Sequence, residues 1–212
     1  MYTPPAYAEP DLALLHRRMR EWSFATLVTH GAGGANATHL PFLLDVADDG
    51  CATLTTHFAR ANAQLKDLQA GADALVIFQG PHAFISPSWY ENRLTFPTWN
   101  YTAVHVRGKT RLVEEPADIH AVLRRTVALY DTPLGGVWDF ETMPDAMTSP
   151  RLRAIVAVEI PVDSIEGKMK LNQDKSVPDR LGVIAALERL GQPDGLAVAR
   201  LMREHPDLAG KP

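Results

Sequence analysis

One cysteine, Cys51, stands in 212 residues. That scarcity excludes an intrachain disulfide framework and any multi-cysteine zinc or iron–sulfur centre. Long apolar runs are missing as well. Ala74–Phe78 and Ile155–Val158 are far shorter than the roughly 20 residues a membrane-spanning helix needs. Met1–Pro10 has no basic run leading into an apolar core, so no secretory signal is expected there. A surplus of positive charge is missing too: 21 Lys and Arg face 25 Asp and Glu, for a net charge of −4. That balance argues against a nucleic-acid binder working by charge alone, though not against a local basic patch. The expectation is a soluble, cytoplasmic chain. With 46% apolar and 22% charged residues, the composition is that of an ordered globular protein, and its length favours a single domain over residues 1–212.

Several nucleotide and hydrolase signatures are also absent. No Gly-x-Gly-x-x-Gly follows a strand pattern, and no Gly-Lys-Ser/Thr appears, which sets aside Rossmann and P-loop chemistry. Ser86 and Ser88 lie in no Gly-x-Ser-x-Gly elbow. The eight histidines include no His-x-His, His-x-x-x-His or His-Glu-x-x-His spacing, so no metal site is expected. Cys51 sits in a strand pattern and reads as a small core residue rather than a reactive thiolate.

What is present points to an antiparallel, mainly β fold with helices inserted between strands. Leu12, Leu15, Met19 and Trp22 recur at helical spacing. Strand patterns follow at Phe24–Thr29, Asn36–Leu44 and Cys51–His57. Tight turns at 31–34 and 48–50 join them, and connections that short make antiparallel neighbours. A helix is expected over Ala59–Gly71, then strands at Ala74–Gln79 and Ala83–Ser86, with Gly80-Pro81 as the break. Tyr101–Val113 reads as a long strand with a bulge at Gly108. Pro116 opens a helix carrying Ile119, Val122, Leu123, Val127 and Tyr130 on one face. Asp131–Met147 reads as a loop and Ile155–Ile160 as the last strand, before helical patterns at Asp179–Leu190 and Asp194–Glu204. Six or seven short strands joined mostly as meanders favour an antiparallel barrel with peripheral helices, class α+β.

Three clusters carry chemistry. Thr55–Asn62 crosses from a strand into a helix start and brings together hydroxyls, His57, Arg60 and Asn62. A forked guanidinium beside unpaired backbone N–H groups suits a phosphate, and a capped helix with an exposed arginine suits the same residues equally. Lys168 and Lys170 alternate with Met169 and Leu171, so an extended segment places both ammonium groups on one face. They suit an anion, or the solvated side of a surface strand. Between Pro81 and Tyr101, three prolines and six aromatic residues crowd about twenty positions. Such a stretch suits a flat heteroaromatic ligand or an interface packed by its own rings.

Taken together, these segments resemble the FMN-binding negative transcriptional regulators, the PaiB-like proteins. The resemblance runs from Met1–Tyr7 through Ala37–Phe42, His57–Asn62, Gln79–Tyr90, Pro97–Tyr101 and Glu166–Gln173. It implies an FMN-binding split β-barrel, a homodimer, and non-covalent FMN at the subunit boundary. It also implies Arg60 and Lys170 as phosphate partners supported by His57 and Asn62, His39, Ser86 and Trp99 at the ribityl and ring regions, and Gln173 as a further cofactor-binding residue. Residues 166–212 become a C-terminal extension holding the lysine motif and a helical hairpin. This chain departs from the family pattern in reading Leu171-Asn172-Gln173-Asp174 where Lys-Leu-Ser-Gln-Asn is expected, and Asp174 would be unfavourable beside a phosphate. The alternative function is a flavin reductase or FMN-dependent oxidoreductase acting on a small molecule, although no catalytic acid or base stands out. DNA enters through the family name. The hairpin offers bases only Arg200 and Arg203, so regulation through flavin or another protein is the expectation.

Overall fold

The structure, a computed structural model, describes residues 1–205 and 208. It comprises two compact units. One holds Met1–Leu15, Gln79–Val104 and the chain from Glu166, and the other His16–Phe78 with His105–Ile165. In chain order the elements are β1 (Ala8–Glu9), α1 (Leu12–Glu21), β2 (Phe24–Gly31), β3 (Gly34–Pro41), β4 (Leu43–Val46) and β5 (Ala52–Ala59). There follow α2 (Leu65–Gln69), β6 (Asp73–Ile85), β7 (Thr98–Lys109), β8 (Arg111–Val113), α3 (Pro116–Tyr130), α4 (Asp145–Arg153), β9 (Ile155–Lys170), α5 (Val177–Leu190) and α6 (Pro193–Arg203). Sheet neighbours run β3-β2-β6-β7-β9-β5-β4, with β1 and β8 also paired to β9. The β2–β3 ladder is antiparallel, as its short turn requires, and β5–β9 is antiparallel as well.

In the unit built on His16–Phe78 and His105–Ile165, β9 is apolar on both faces over Ile155–Val158, as a strand covered on both sides is, whereas β5 sets Thr53, Thr55 and His57 on the face opposite Leu54 and Phe58. Leu54 and Phe58 of β5 and Val156, Val158 and Ile160 of β9 are buried on one side. Ala157 faces the other way and packs with Leu43 and with Ile119 and Val122 of α3. Here the α3 face read from the sequence is confirmed at its N-terminal half, while Tyr130 is exposed. In the other unit, α5 and α6 pack together through Val183, Ile184, Leu187, Val198, Leu201 and Met202.

Several boundaries differ from the sequence reading, each for a physical reason. β5 continues through Ala59, so the helix expected over Ala59–Gly71 shrinks to α2. β6 runs unbroken through Gly80-Pro81. Pro81 gives up a donor, but its carbonyl accepts from Thr102 Oγ1 at 3.3 Å. α4 occupies part of the expected loop, where Pro150 inside the helix hid its pattern. β9 extends past Pro161 to Lys170, taking in the lysine motif. Cys51 is exposed rather than part of the core, one residue ahead of β5. Its N–H donates to Asp49 Oδ1 at 2.9 Å, and the Asp49 carboxylate holds its thiol above the usual range.

β7 continues through Gly108. A Cβ there would lie 2.1 Å from the Pro161 carbonyl oxygen and 2.8 Å from Ile160 Cγ2, so only glycine permits this strand approach. Gly108→Ala is expected to lower stability by about 1–3 kcal/mol, the usual cost of overpacking. Urea denaturation checks this, and an unchanged midpoint would contradict the close approach.

Candidate functional site

The residues expected to meet a flavin fall into two sets, one in each unit. His39, His57, Arg60 and Asn62 belong to the unit built on His16–Phe78. There β5 ends at Ala59, and the chain turns before α2. The Arg60 N–H donates to Ala154 O at 2.9 Å, fastening the turn to the end of α4. Asn62 shapes the turn: its Oδ1 accepts from Gln64 N–H at 3.0 Å, and its Nδ2 donates to Thr38 Oγ1 at 3.0 Å.

Beneath this turn lies a buried polar network that sequence reasoning missed. Gln64 Nε2 donates to Thr29 Oγ1 at 3.0 Å, and Gln64 Oε1 accepts from Thr38 Oγ1 at 2.6 Å. Thr29 Oγ1 donates to Asp67 Oδ2 at 2.7 Å, and Asn36 Nδ2 donates to the same oxygen at 2.9 Å. Those two donors hold the Asp67 carboxyl below the usual range, so it is ionised at neutral pH. The signal was available as polar residues alternating along β2 and β3, but nothing in one dimension says which helix they meet.

Arg60 Nη1 donates to Glu114 Oε1 at 2.8 Å. The two line a cavity of about 540 Å³ with Pro116, Ile119, Ser149, Leu152 and Arg153. His57 lies directly opposite Ala157 in the ladder, and so on the sheet face that α3 covers. Its Nδ1 is buried without a hydrogen-bond partner, and burial pulls the imidazole below its usual pKa. His57 is therefore neutral at pH 7. His39 Nδ1 pairs with Thr26 Oγ1 at 2.9 Å on the β2–β3 ladder. An orphaned ring nitrogen and a guanidinium-lined cavity fit a phosphate-bearing ligand, while Asn62 is committed to the turn.

Lys170, Gln173, Ser86 and Trp99 belong to the other unit. Lys170 Nζ donates to Thr98 Oγ1 at 2.5 Å and Trp99 O at 2.6 Å, and sits 5.8 Å from the Tyr7 ring centre. Burial holds its ammonium below the usual range. Lys168 is buried, not solvated: its Nζ donates to Tyr2 O at 3.0 Å and lies 4.9 Å from the Tyr101 ring centre. Gln173 turns back on its own loop, where its side chain bonds Leu171 N–H and Met169 O. Asp174 pairs with Lys175 at 2.8 Å and accepts from Tyr7, so much of its charge is answered locally. Asn172 takes φ 63° and donates to the Tyr90 hydroxyl at 2.5 Å, while its Oδ1 is buried without a partner. Ser86 caps the turn at Pro87–Trp89 by accepting from Ser88 N–H at 3.2 Å. Trp99 is 53% exposed and meets Phe84 edge-on with centroids 6.0 Å apart. Both line a second cavity, of about 430 Å³, with His82, Trp89, Leu187 and Asp194.

No group of three or more metal-ligating side chains occurs among the described residues. Nor is any helix among them long and apolar enough to cross a membrane. The His57 ring carries a pH signature. Its folded-state pKa is depressed, so stability is full above the unfolded value of 6.5 and falls as pH drops through the lowered folded value. A proton-detected histidine titration is expected to place its midpoint below 6.5. A midpoint at or above that value would show that the ring is not buried in the neutral form.

Residues 1–164 match the family model described as "Putative FMN-binding domain". The Bacillus subtilis "Protease synthase and sporulation protein PAI 2" is 36% identical over 207 residues, which cover 96% of this chain and 97% of that protein. An uncharacterised protein of Emericella nidulans is 25% identical, with both chains covered end to end. Among solved structures, the FAD and heme binding protein from Mycobacterium smegmatis superposes with a TM-score of 0.61 at 15% identity, covering 82% of this chain and 78% of that one. The flavocytochrome Anf3 from Azotobacter vinelandii gives 0.60 at 16% identity, covering 77% and 69%. At those identities the structures speak for the fold alone, which is the antiparallel split β-barrel. With the family model spanning most of its length and a PaiB relative matched nearly end to end, the chain belongs to the FMN-binding domain family of PaiB-like split-barrel proteins.

Proposed function

We propose that the chain is a cytoplasmic flavoprotein holding FMN non-covalently at the boundary of a homodimer, and that any effect on transcription runs through the flavin or another protein. The family match over residues 1–164 carries this reading, because that segment holds His39, His57, Arg60 and Asn62. Residues 166–212 serve as a C-terminal extension of that domain. Arg60 is the leading phosphate ligand, since its guanidinium lines a cavity and can exchange an exposed carboxylate for a phosphate. Lys170 is the second, with one N–H left after its two hydrogen bonds. His57 supports as a neutral donor, and Asn62 supports by shaping the turn. His39, Ser86 and Trp99 serve the ribityl and ring regions, and Gln173 is a further cofactor-binding residue. When bound, FMN supplies the redox chemistry, and the protein positions it and tunes its surroundings.

The homodimer reading rests on apolar side chains left in the open: Leu94 is 96%, Phe96 87% and Trp99 53% exposed. Rings and leucines that exposed in one short segment mark an interface. DNA reading by the α5–α6 hairpin finds little support in the helices themselves. Arg203 is engaged by Glu188 at 2.9 Å, and the apolar face of α6 is spent on packing. A regulatory role follows the family resemblance and needs no such contact.

Flavin absorbance after FMN addition and desalting tests the central claim, and wild type is expected to stay yellow. Arg60→Ala is expected to weaken FMN about ten- to a hundredfold, as loss of a charged hydrogen bond would. Riboflavin, lacking the phosphate, should bind both forms alike. Equal losses for both ligands would remove Arg60 from the phosphate role. Sedimentation is expected to show a dimer at micromolar concentration, and a monomer there would overturn the interface. The same dimer should shift promoter DNA only weakly at physiological salt, whereas nanomolar, sequence-selective binding would overturn indirect regulation.

A further inference from the structure

The cavity beside Arg60 holds a second cation that neither the sequence motifs nor the family match singles out. Arg153 lines it from the last turn of α4. Among the described residues Arg153 makes no ion pair and no side-chain hydrogen bond, whereas Arg60, Arg111 and Arg125 each engage a carboxylate. Ser149 lines the same cavity one helical turn earlier, at the i, i+4 spacing that stacks two side chains on one helix face. Its hydroxyl, too, is unengaged.

Strand register brings these groups to Arg60. β5 and β9 pair so that Ala59 faces Ile155, and the Arg60 N–H bonds the carbonyl of Ala154, the residue after Arg153. The opposite wall begins with Pro116, the first residue of the 15-residue helix α3, so the positive end of that helix borders the cavity. Ile119 and Leu152 supply apolar packing. The one acidic lining residue is Glu114, which is paired with Arg60 and 58% exposed at its side chain.

We propose that Arg153 and Ser149, together with Arg60, form the seat of a phosphate monoester, and that Glu114 is the resident carboxylate this phosphate displaces. The inference rests on the FMN reading above and extends it to three residues on other elements. Two guanidiniums and a hydroxyl converge as donors, which is what a dianion with three free oxygens accepts. Glu114 occupies one fork of Arg60 until a more highly charged acceptor arrives. Because Glu114 is exposed, it swings into water at small cost, exposed pairs being weak. Before ligand arrives it engages the Arg60 guanidinium at 2.8 Å. Binding is then an exchange of one anion for another on a fixed cation.

The test is equilibrium dialysis of FMN and of riboflavin against wild type, Arg153→Ala, Ser149→Ala and Glu114→Gln, with inorganic phosphate as competitor. Arg153→Ala is expected to weaken FMN about tenfold, the lower end of what a charged hydrogen bond contributes, and to leave riboflavin unchanged. Ser149→Ala should weaken FMN severalfold. Glu114→Gln should do the reverse and tighten FMN severalfold, because it removes both the competitor for Arg60 and a negative charge beside the phosphate. That gain distinguishes a displaced carboxylate from one that merely supports the fold. Inorganic phosphate should compete with FMN in wild type and more weakly in Arg153→Ala. Competition undiminished in Arg153→Ala would overturn the seat. If wild type binds FMN but Arg153→Ala and Glu114→Gln leave its affinity unchanged, the phosphate sits elsewhere, and this inference fails while the flavin reading stands. If wild type binds neither flavin, the reading on which the seat depends fails with it. Binding of inorganic phosphate with no FMN binding would overturn FMN as the source of the phosphate.

Discussion

The ionised carboxylate of Asp67, buried under donors from Thr29 and Asn36, holds the unit around β2, β3 and α2 together. A buried charge is tolerated only when hydrogen bonds replace the water it has lost, and here a strand hydroxyl and a strand amide do so. Gln64 extends the network to the backbone of β2 and β3 through Leu27 O and Asn36 O, each at 3.3 Å. Because Gln64 and Asp67 both belong to the start of α2, the segment just before them is fixed as well, and that segment carries Arg60 and Asn62. A ligand-binding turn with no rigid support would pay for its ordering on every binding event. The turn carrying Arg60 and Asn62 is ordered beforehand, by hydrogen bonds of Asn62 to Gln64 and Thr38.

Arginine placement tells a related story about charge. Arg60 meets Glu114, Arg111 meets Glu159, Arg125 meets Asp45 and Arg203 meets Glu188. Exposed pairs of this kind add little stability. Each of them places a negative charge beside a positive one, which locally weakens the field that long-range attraction to a polyanion requires.

Much of this fold was readable where periodicity is strong and uninterrupted. α1, β2, α3 and the α5–α6 pair follow from spacing alone, because each buries one stripe or one face. Reading failed where a local breaker is overruled by sheet pairing. Gly80-Pro81 and Pro161 both sit inside long strands, and Pro150 sits inside a helix. The candidate site was legible as residue types in motifs, but not as partners. Nothing in His57–Asn62 announces Glu114, 54 positions from Arg60, or the α4 groups brought close by the β5–β9 register. Lys168 shows the same limit. Its alternation with Met169 suggested a wet face, yet the ammonium lies among Tyr2 and Tyr101. Which residues share a face is local information, whereas what covers that face is not.

Cys51 carries a consequence of another kind. Disulfides and sulfenic acids form from the thiolate, and the Asp49 carboxylate beside this sulfur keeps it protonated. The chain's single sulfhydryl therefore stands in open solvent while remaining a sluggish nucleophile. A reduced flavin can pass electrons to dissolved oxygen and so generate mild oxidants. Here the exposed sulfur is electrostatically muted toward such species, so redox events at a flavin need not be written covalently into the polypeptide.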